Sequence, residues 1–149
     1  AEVIKKTTGK DITNYPGAGA AGGMGGGLLA FFNAELKPGT ELLLKAIDFS
    51  EKIKGADLII TGEGKADRQT AMGKVPYGIL KEAQKEHIPV IVLAGSIENL
   101  PELNKAGFKG IFSIAPGPIT LEKAMEPEFA KENITRLVSQ LYSVITSFG

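Results

Sequence analysis

The sequence predicts an α/β fold, a three-layer arrangement of one parallel sheet with helices on both faces. Three observations predict it. The runs Leu58-Ile59-Ile60-Thr61, Val90-Ile91-Val92-Leu93-Ala94 and Gly110-Ile111-Phe112-Ser113-Ile114 are apolar throughout rather than alternating, as strands buried on both faces are. Each is followed by a stretch with helical spacing, so the strands are joined by crossovers and lie parallel. Three strands are fewer than the ~5–6 of an average sheet, so the strands are expected to be incomplete at the N-terminal side.

The elements follow in order. Ala1 to Lys6 reads as the end of a helix, with Gly9 as its stop. This abrupt start leads us to expect the C-terminal part of a longer protein. Asp11 to Pro16 is polar and poorly patterned. From Gly17 to Gly27, seven of eleven residues are glycine, which a chain tolerates where backbones or a ligand come close. Leu28, Leu29, Phe31, Phe32 and Leu36 then predict a helix buried on most sides. Pro38-Gly39 is a turn, and Thr40 is a candidate N-cap for a helix to about Asp48. Phe49 to Gly55 reads as a short helix and its stop.

The first strand is expected to break at Gly62 and Gly64. Helical spacing predicts a helix over Tyr77–Glu86, with Pro76 in its first turn. Gly95-Ser96 caps the second strand. A short helix from Asn99 or Leu100 to Ala106 stops at Gly107, and the third strand ends at Pro116-Gly117-Pro118. Thr120 opens a further short helix. A long last helix is expected from Pro127 or Glu128 to Phe148, with Phe129, Ile134, Leu137, Val138, Leu141 and Ile145 at core spacing. Residues 1–55 thus read as a Gly-rich helical segment and 56–149 as the α/β portion.

Composition narrows the function classes. The chain has 149 residues, 43% hydrophobic and 23% charged, ordinary for a globular domain. Lys plus Arg and Asp plus Glu number 17 each, which argues against general nucleic-acid or membrane binding by a basic surplus. There is no cysteine, hence no disulfide framework and no thiolate metal site. No apolar run approaches the ~20 residues of a membrane helix, and no secretory signal pattern opens the chain. We expect a cytoplasmic protein, and read the sequon Asn133-Ile134-Thr135 as chance.

The chemistry-bearing stretch lies beyond the first strand. Glu63, Lys65, Asp67 and Arg68 are followed by Gln69-Thr70, Gly73-Lys74 and Pro76. Ligands of open α/β sheets bind beyond the carboxyl ends of the strands, and this connection is about twice the usual ~2–6 residues. Asp67 is a candidate ligand for a hard cation, which takes carboxylate oxygens. Lys74, with Lys65 and Arg68, is a candidate for phosphate or a substrate carboxylate. Gly62 and Gly64 let a backbone approach, and Glu63 is a second acid. The alternative for each is an ordinary loop salt bridge, Asp67 with Lys74 or Glu63 with Lys65.

Other motifs carry less. Gly17-Ala18-Gly19-Ala20-Ala21-Gly22 matches GxGxxG, but no strand precedes it and no acid-ended strand follows, as a dinucleotide site requires. Close helix packing and a backbone phosphate cradle remain for Gly17, Gly19 and Gly22. Gly73-Lys74 lacks the glycine and hydroxyl residue of a Walker A loop. His87, the only histidine, reads as a surface residue.

The stretches Gly17 to Gly25, Ala34 to Gly39 and Leu58 to Asp67, with Gln69-Thr70 and Gly73 to Pro76, resemble the glycerate kinase family of bacteria, type I, which forms 2-phosphoglycerate. The resemblance runs over nearly the whole chain, with Lys65 where the family commonly has Arg. It matches only the C-terminal part of such kinases, whose two N-terminal loops are missing here. In that family a flavodoxin-like domain, one of two in the kinase, is assembled from both chain ends.

The resemblance implies ATP-dependent phosphorylation of D-glycerate with Mg²⁺. It implies catalytic roles for Asp67 and Lys74, with Asp67 the Mg²⁺ ligand or the orienter of the substrate hydroxyl. Substrate or phosphate contacts fall to Gly62, Glu63, Gly64, Lys65 and Gly73, and to Gly17, Gly19 and Gly22. The partners expected are D-glycerate, ATP and the missing N-terminal part of the same enzyme, with no nucleic acid and no membrane; a homo-oligomer is admitted. Activity of the isolated chain is expected to be poor. The rival from another class is a non-catalytic α/β phosphate-binding or assembly module.

Overall fold

The computed structural model describes residues 1–32, 34–98 and 100–147. The chain forms two compact units, Ala1–Leu42 and Leu43–Gly149. Asn99 as a helix start and Phe148 as a helix end lie outside the described residues. Among the described residues no helix is long and apolar enough to cross a membrane.

In the first unit, α1 (Glu2–Thr8) ends as expected at Gly9, whose left-handed φ of 73° returns its N–H to the Lys5 carbonyl. Helix α2 (Ala20–Phe32) is interrupted at Ala21, Gly22 and Gly23, which have positive φ, and runs regularly only beyond them. The glycines serve backbone approach here. A Cβ on Gly25 would stand 2.5 Å from the Gly17 carbonyl oxygen, and the Gly26 N–H donates to the Ala18 carbonyl at 2.8 Å. The expectation of a helix buried on most sides is corrected. Gly25, Gly26, Leu29 and Ala30 are buried, whereas Phe31 and Phe32 are 59% and 77% exposed. Periodicity reveals apolar faces, not how many of them find a partner.

Helix α3 (Gly39–Ala46) begins one residue before Thr40, which lies inside it rather than capping it. Helix α4 (Phe49–Lys52) follows, and Gly55 at φ 77° ends the turn after it.

The second unit is built on a sheet of order β1-β2-β3, with both pairings parallel: β1 (Ile59–Ala66), β2 (Val90–Ile97) and β3 (Gly110–Ser113). Helices α5 (Val75–Lys85), α6 (Leu100–Ala106), α7 (Leu121–Ala124) and α8 (Pro127–Thr146) complete it, with helices on both sides of the sheet. The apolar run of β2 is explained by this layering. Val90, Val92 and Ala94 join Leu80 and Ala83 of α5 and Leu103 of α6 in one core. Ile91 and Leu93, of opposite parity, are also buried.

Two strands run further than expected. β1 does not break at Gly62 but continues to Ala66, its pairing with β2 running on through Glu63↔Ala94 and Lys65↔Ser96 to Ala66↔Ile97. Likewise β2 passes through Gly95 and Ser96. Glycine and charged residues are poor strand formers, but pairing with a neighbour overrides propensity. Gly95 is required for this: a Cβ there would stand 2.7 Å from the Gly64 carbonyl oxygen.

Thr120 caps α7, its hydroxyl accepting from the Lys123 amide at 3.3 Å. The core spacing in α8 is met in part. Phe129, Leu137, Val138 and Leu141 are half-buried, Ile134 and Ile145 exposed, and Asn133 is its one buried residue. Asn133 is satisfied within the helix, donating to the Phe129 carbonyl at 2.8 Å.

Candidate functional site

At the carboxyl end of β1 the strand passes into a 3-10 turn, Arg68–Met72, and then into α5. Residue types dictate each step. Asp67 caps the turn, its Oδ1 accepting from the Gln69 amide at 2.9 Å. Thr70, three residues on, returns the favour: its Oγ1 accepts from the Asp67 amide at 3.0 Å, a reciprocal capping box. Gly73 ends the turn at φ 121°, a conformation that suits glycine. The chain thereby reverses into α5, with Lys74 at its N-cap and Pro76 buried in its first turn.

That reversal brings Lys74 back to the strand. Its Nζ lies 3.0 Å from Oε1 of Glu63 and 3.4 Å from Oδ1 of Asp67. The other carboxylate oxygen of Glu63, Oε2, accepts from the Thr70 hydroxyl at 2.7 Å. The side chains of Glu63 and Asp67 are only 15% and 21% exposed, and that of Lys74 36%, so solvent screens these charges less than a surface pair. Two carboxylates share one ammonium, leaving a negative charge in excess. An open groove of about 460 Å³ adjoins Glu63, lined also by Ile60, Gly62, Gly64, Leu93 and Ile134.

The electrostatics follow from these contacts. Partial burial pushes the Asp67 carboxyl up, but the Gln69 amide and the Lys74 ammonium outweigh it, and its pKa is lowered from 3.8. The hydrogen bond to Glu63 raises the pKa of Lys74 against the opposing effect of burial. A lowered carboxyl pKa stabilises the fold above the unfolded value, and that contribution is lost as pH falls through the folded value. A raised lysine pKa stabilises it below the unfolded value, and that is lost as pH rises through the folded one. Both contributions are therefore complete across the neutral range. In the Lys74→Met variant the Asp67 midpoint, read by carbon-detected NMR titration, is expected to move upward; an unmoved midpoint would mean that Lys74 does not act on Asp67.

The structure brings together Glu63, Asp67 and Lys74 of the residues singled out in the sequence. Lys65 is drawn aside by Glu98, 2.8 Å from its Nζ, which raises its pKa. Of the two loop salt bridges held as alternatives, Asp67–Lys74 is present and Glu63 pairs with Lys74 in place of Lys65. Arg68 is exposed. Gly62, Gly64 and Gly73 have open space, or only a loose contact, where a Cβ would stand. Gly17, Gly19 and Gly22 lie in the first unit; Gly17 packs near Leu36, and Gly19 and Gly22 are open. His87 is exposed, at the end of α5 that leads into the start of β2. Thr70, fully buried, is the member that sequence reasoning passed over. The signal was present in the spacing Asp67-x-x-Thr70, a capping box in reverse order.

The donor set suits a hard cation that keeps other ligands. Mg²⁺ is held by one or two carboxylates together with substrate phosphates and water. Glu63 and Asp67 supply two carboxylates, and among the described residues no group of three or more metal-ligating side chains exists.

A family model described as the glycerate kinase family matches residues 1–146. The glycerate kinase of Halalkalibacterium halodurans is 45% identical over 127 residues, covering 85% of this chain and 33% of that protein. That of Bacillus cereus is 42% identical over 145 residues, covering 97% and 38%. The glycerate 2-kinase of Escherichia coli is 44% identical over 137 residues, covering 91% and 35%. A solved structure described as glycerate kinase 2 from Salmonella typhimurium LT2 superposes with a TM-score of 0.70 at 34% identity, over 99% of this chain and 36% of that one. The chain thus spans about a third of the length of the curated relatives it matches.

Proposed function

The chain belongs to the glycerate kinase family, and from that premise we propose that it carries the phosphoryl-transfer cluster of an ATP-dependent kinase acting on D-glycerate. The product proposed is 2-phosphoglycerate. One observation carries the reading: Lys74 is held between Glu63 and Asp67 at the carboxyl end of β1, where ligands of open α/β sheets bind.

Transfer of a phosphoryl group rests on positioning and on neutralising charge. Lys74, a point charge on a long stem held by Glu63 and Asp67, has a third N–H to offer an oxygen of the phosphate or of glycerate. Asp67, fixed by the turn, and Glu63, fixed by the strand, are the carboxylates for Mg²⁺, with Asp67 the principal one. Bound Mg²⁺ would neutralise charge on the phosphates. Gly62, Gly64 and Gly73 leave backbone open beside the cluster, and Gly17, Gly19 and Gly22 are proposed as a backbone for phosphate within the first unit. Lys65, half exposed beside Glu98, is a further cation for the substrate.

The test is coupled ADP release with D-glycerate and Mg-ATP, using the protein expressed from its complete coding sequence. Phosphorus NMR of the product separates 2- from 3-phosphoglycerate. Glycerate-dependent ADP release with the 2-isomer is expected, and ADP release no greater than without glycerate would sink the reading. The 149-residue chain alone is expected to turn over far less, because positioning by several clamps fails when some are absent. Turnover of the isolated chain at the level of the complete protein would overturn that expectation.

A further inference from the structure

Thr70 has no charge and no access to solvent, yet it touches both acids of the cluster. We infer that Thr70 is a positioning residue for phosphoryl transfer: its hydroxyl sets the orientation of Glu63, and through Glu63 that of Lys74. The inference rests on the reading of this cluster as the site of that reaction.

The direction of the hydrogen bonds supports it. A threonine hydroxyl carries one proton and two lone pairs. Its oxygen accepts from the Asp67 amide at 3.0 Å, so the proton is free for one acceptor. That acceptor is Oε2 of Glu63, at 2.7 Å. The bond is charge-assisted, and such bonds are shorter and stronger than neutral ones. With Oε2 occupied, Oε1 is turned to Lys74 at 3.0 Å. One buried hydroxyl thus ties the Glu63 carboxylate to the backbone at Asp67, where the turn begins. Glu63 cannot rotate without losing a bond in a shielded place, where an unmet polar group is costly.

A purely structural capping role predicts something different. The capping box needs only the oxygen that accepts from Asp67, and its loss lowers stability without changing turnover by the folded enzyme. The bond to Glu63 contributes nothing to that cap. It bears on turnover only if the position of Glu63 matters.

The experiment compares Thr70→Val, which keeps the shape and removes the oxygen, with Thr70→Ser, which keeps the oxygen, in the protein expressed from its complete coding sequence. For Thr70→Val, kcat is expected to fall about tenfold to a hundredfold with KM for ATP and glycerate within about threefold, because misplacement is felt most in the transition state. Thr70→Ser is expected to stay within about threefold of wild type in kcat. A Thr70→Val enzyme that melts earlier but turns over at the wild-type rate when folded would overturn the inference.

If Thr70→Val does not fold, Thr70→Ala and Thr70→Ser make the same comparison. Equal kcat for those two would equally overturn it. A crystal structure of the valine or alanine variant separates this inference from the assignment of activity. A Glu63–Lys74 distance lengthened beyond about 4 Å, the limit of an ion pair, supports positioning even if no glycerate kinase activity is found. An unchanged distance overturns it.

Discussion

Asp67→Asn is expected to lower kcat by about a hundredfold to ten-thousandfold while nucleotide affinity changes by less than about threefold, the pattern of a group acting in the transition state. The substitution is a sharp one because its structural cost is small. Asparagine is as good an N-cap as aspartate, so the contact to the Gln69 amide and the 3-10 turn persist. What is lost is one negative charge that Lys74 faces at 3.4 Å and that holds magnesium in the proposed reaction. Steady-state kinetics with D-glycerate, beside calorimetric titration of nucleotide, provide the check. A kcat within about threefold of wild type would reduce Asp67 to a cap.

Lys74→Met acts on both acids together. It removes the cation that Glu63 and Asp67 share while keeping a stem of similar length, so packing changes little. KM for ATP or for glycerate is expected to rise about tenfold to a hundredfold, as loss of a charge-assisted contact to an anion implies. Two partly buried carboxylates without their counter-charge repel, so the melting temperature is expected to fall at neutral pH and to recover in part in acid, as the carboxylates are protonated. Unchanged KM for both substrates with unchanged kcat would leave Lys74 an ordinary ion-pair partner.

The fold was legible in the sequence where physics is local. The apolar runs placed β2 and β3, Gly9 and Pro76 marked helix boundaries, and the spacing after Pro127 marked the long helix. The extension of β1 through Gly62 and Gly64 was not legible, because it depends on a neighbouring strand close enough that Gly95 must lack a side chain. Exposure of Phe32 and Ile145 escaped for a related reason, since an apolar stripe does not say what covers it. In the site, Glu63, Asp67 and Lys74 stood out by charge beyond a strand. Thr70 did not, because a neutral residue in a turn draws no notice until its hydroxyl is seen between two acids. The diversion of Lys65 to Glu98 needed the parallel register, which sets residue 65 opposite Ser96.

Glu63, Asp67, Thr70 and Lys74 all fall within one 12-residue segment. Bringing them together closes only short loops, and loop closure costs entropy that grows with length. The contacts among these side chains therefore add little loop-closure entropy once β1 is paired with β2. In hydrogen-exchange terms, the amides of Gln69 and Thr70 should open together with the β1–β2 pairing as one cooperative unit. The order of the cluster is then that of one short connection seated on the β1–β2 pairing.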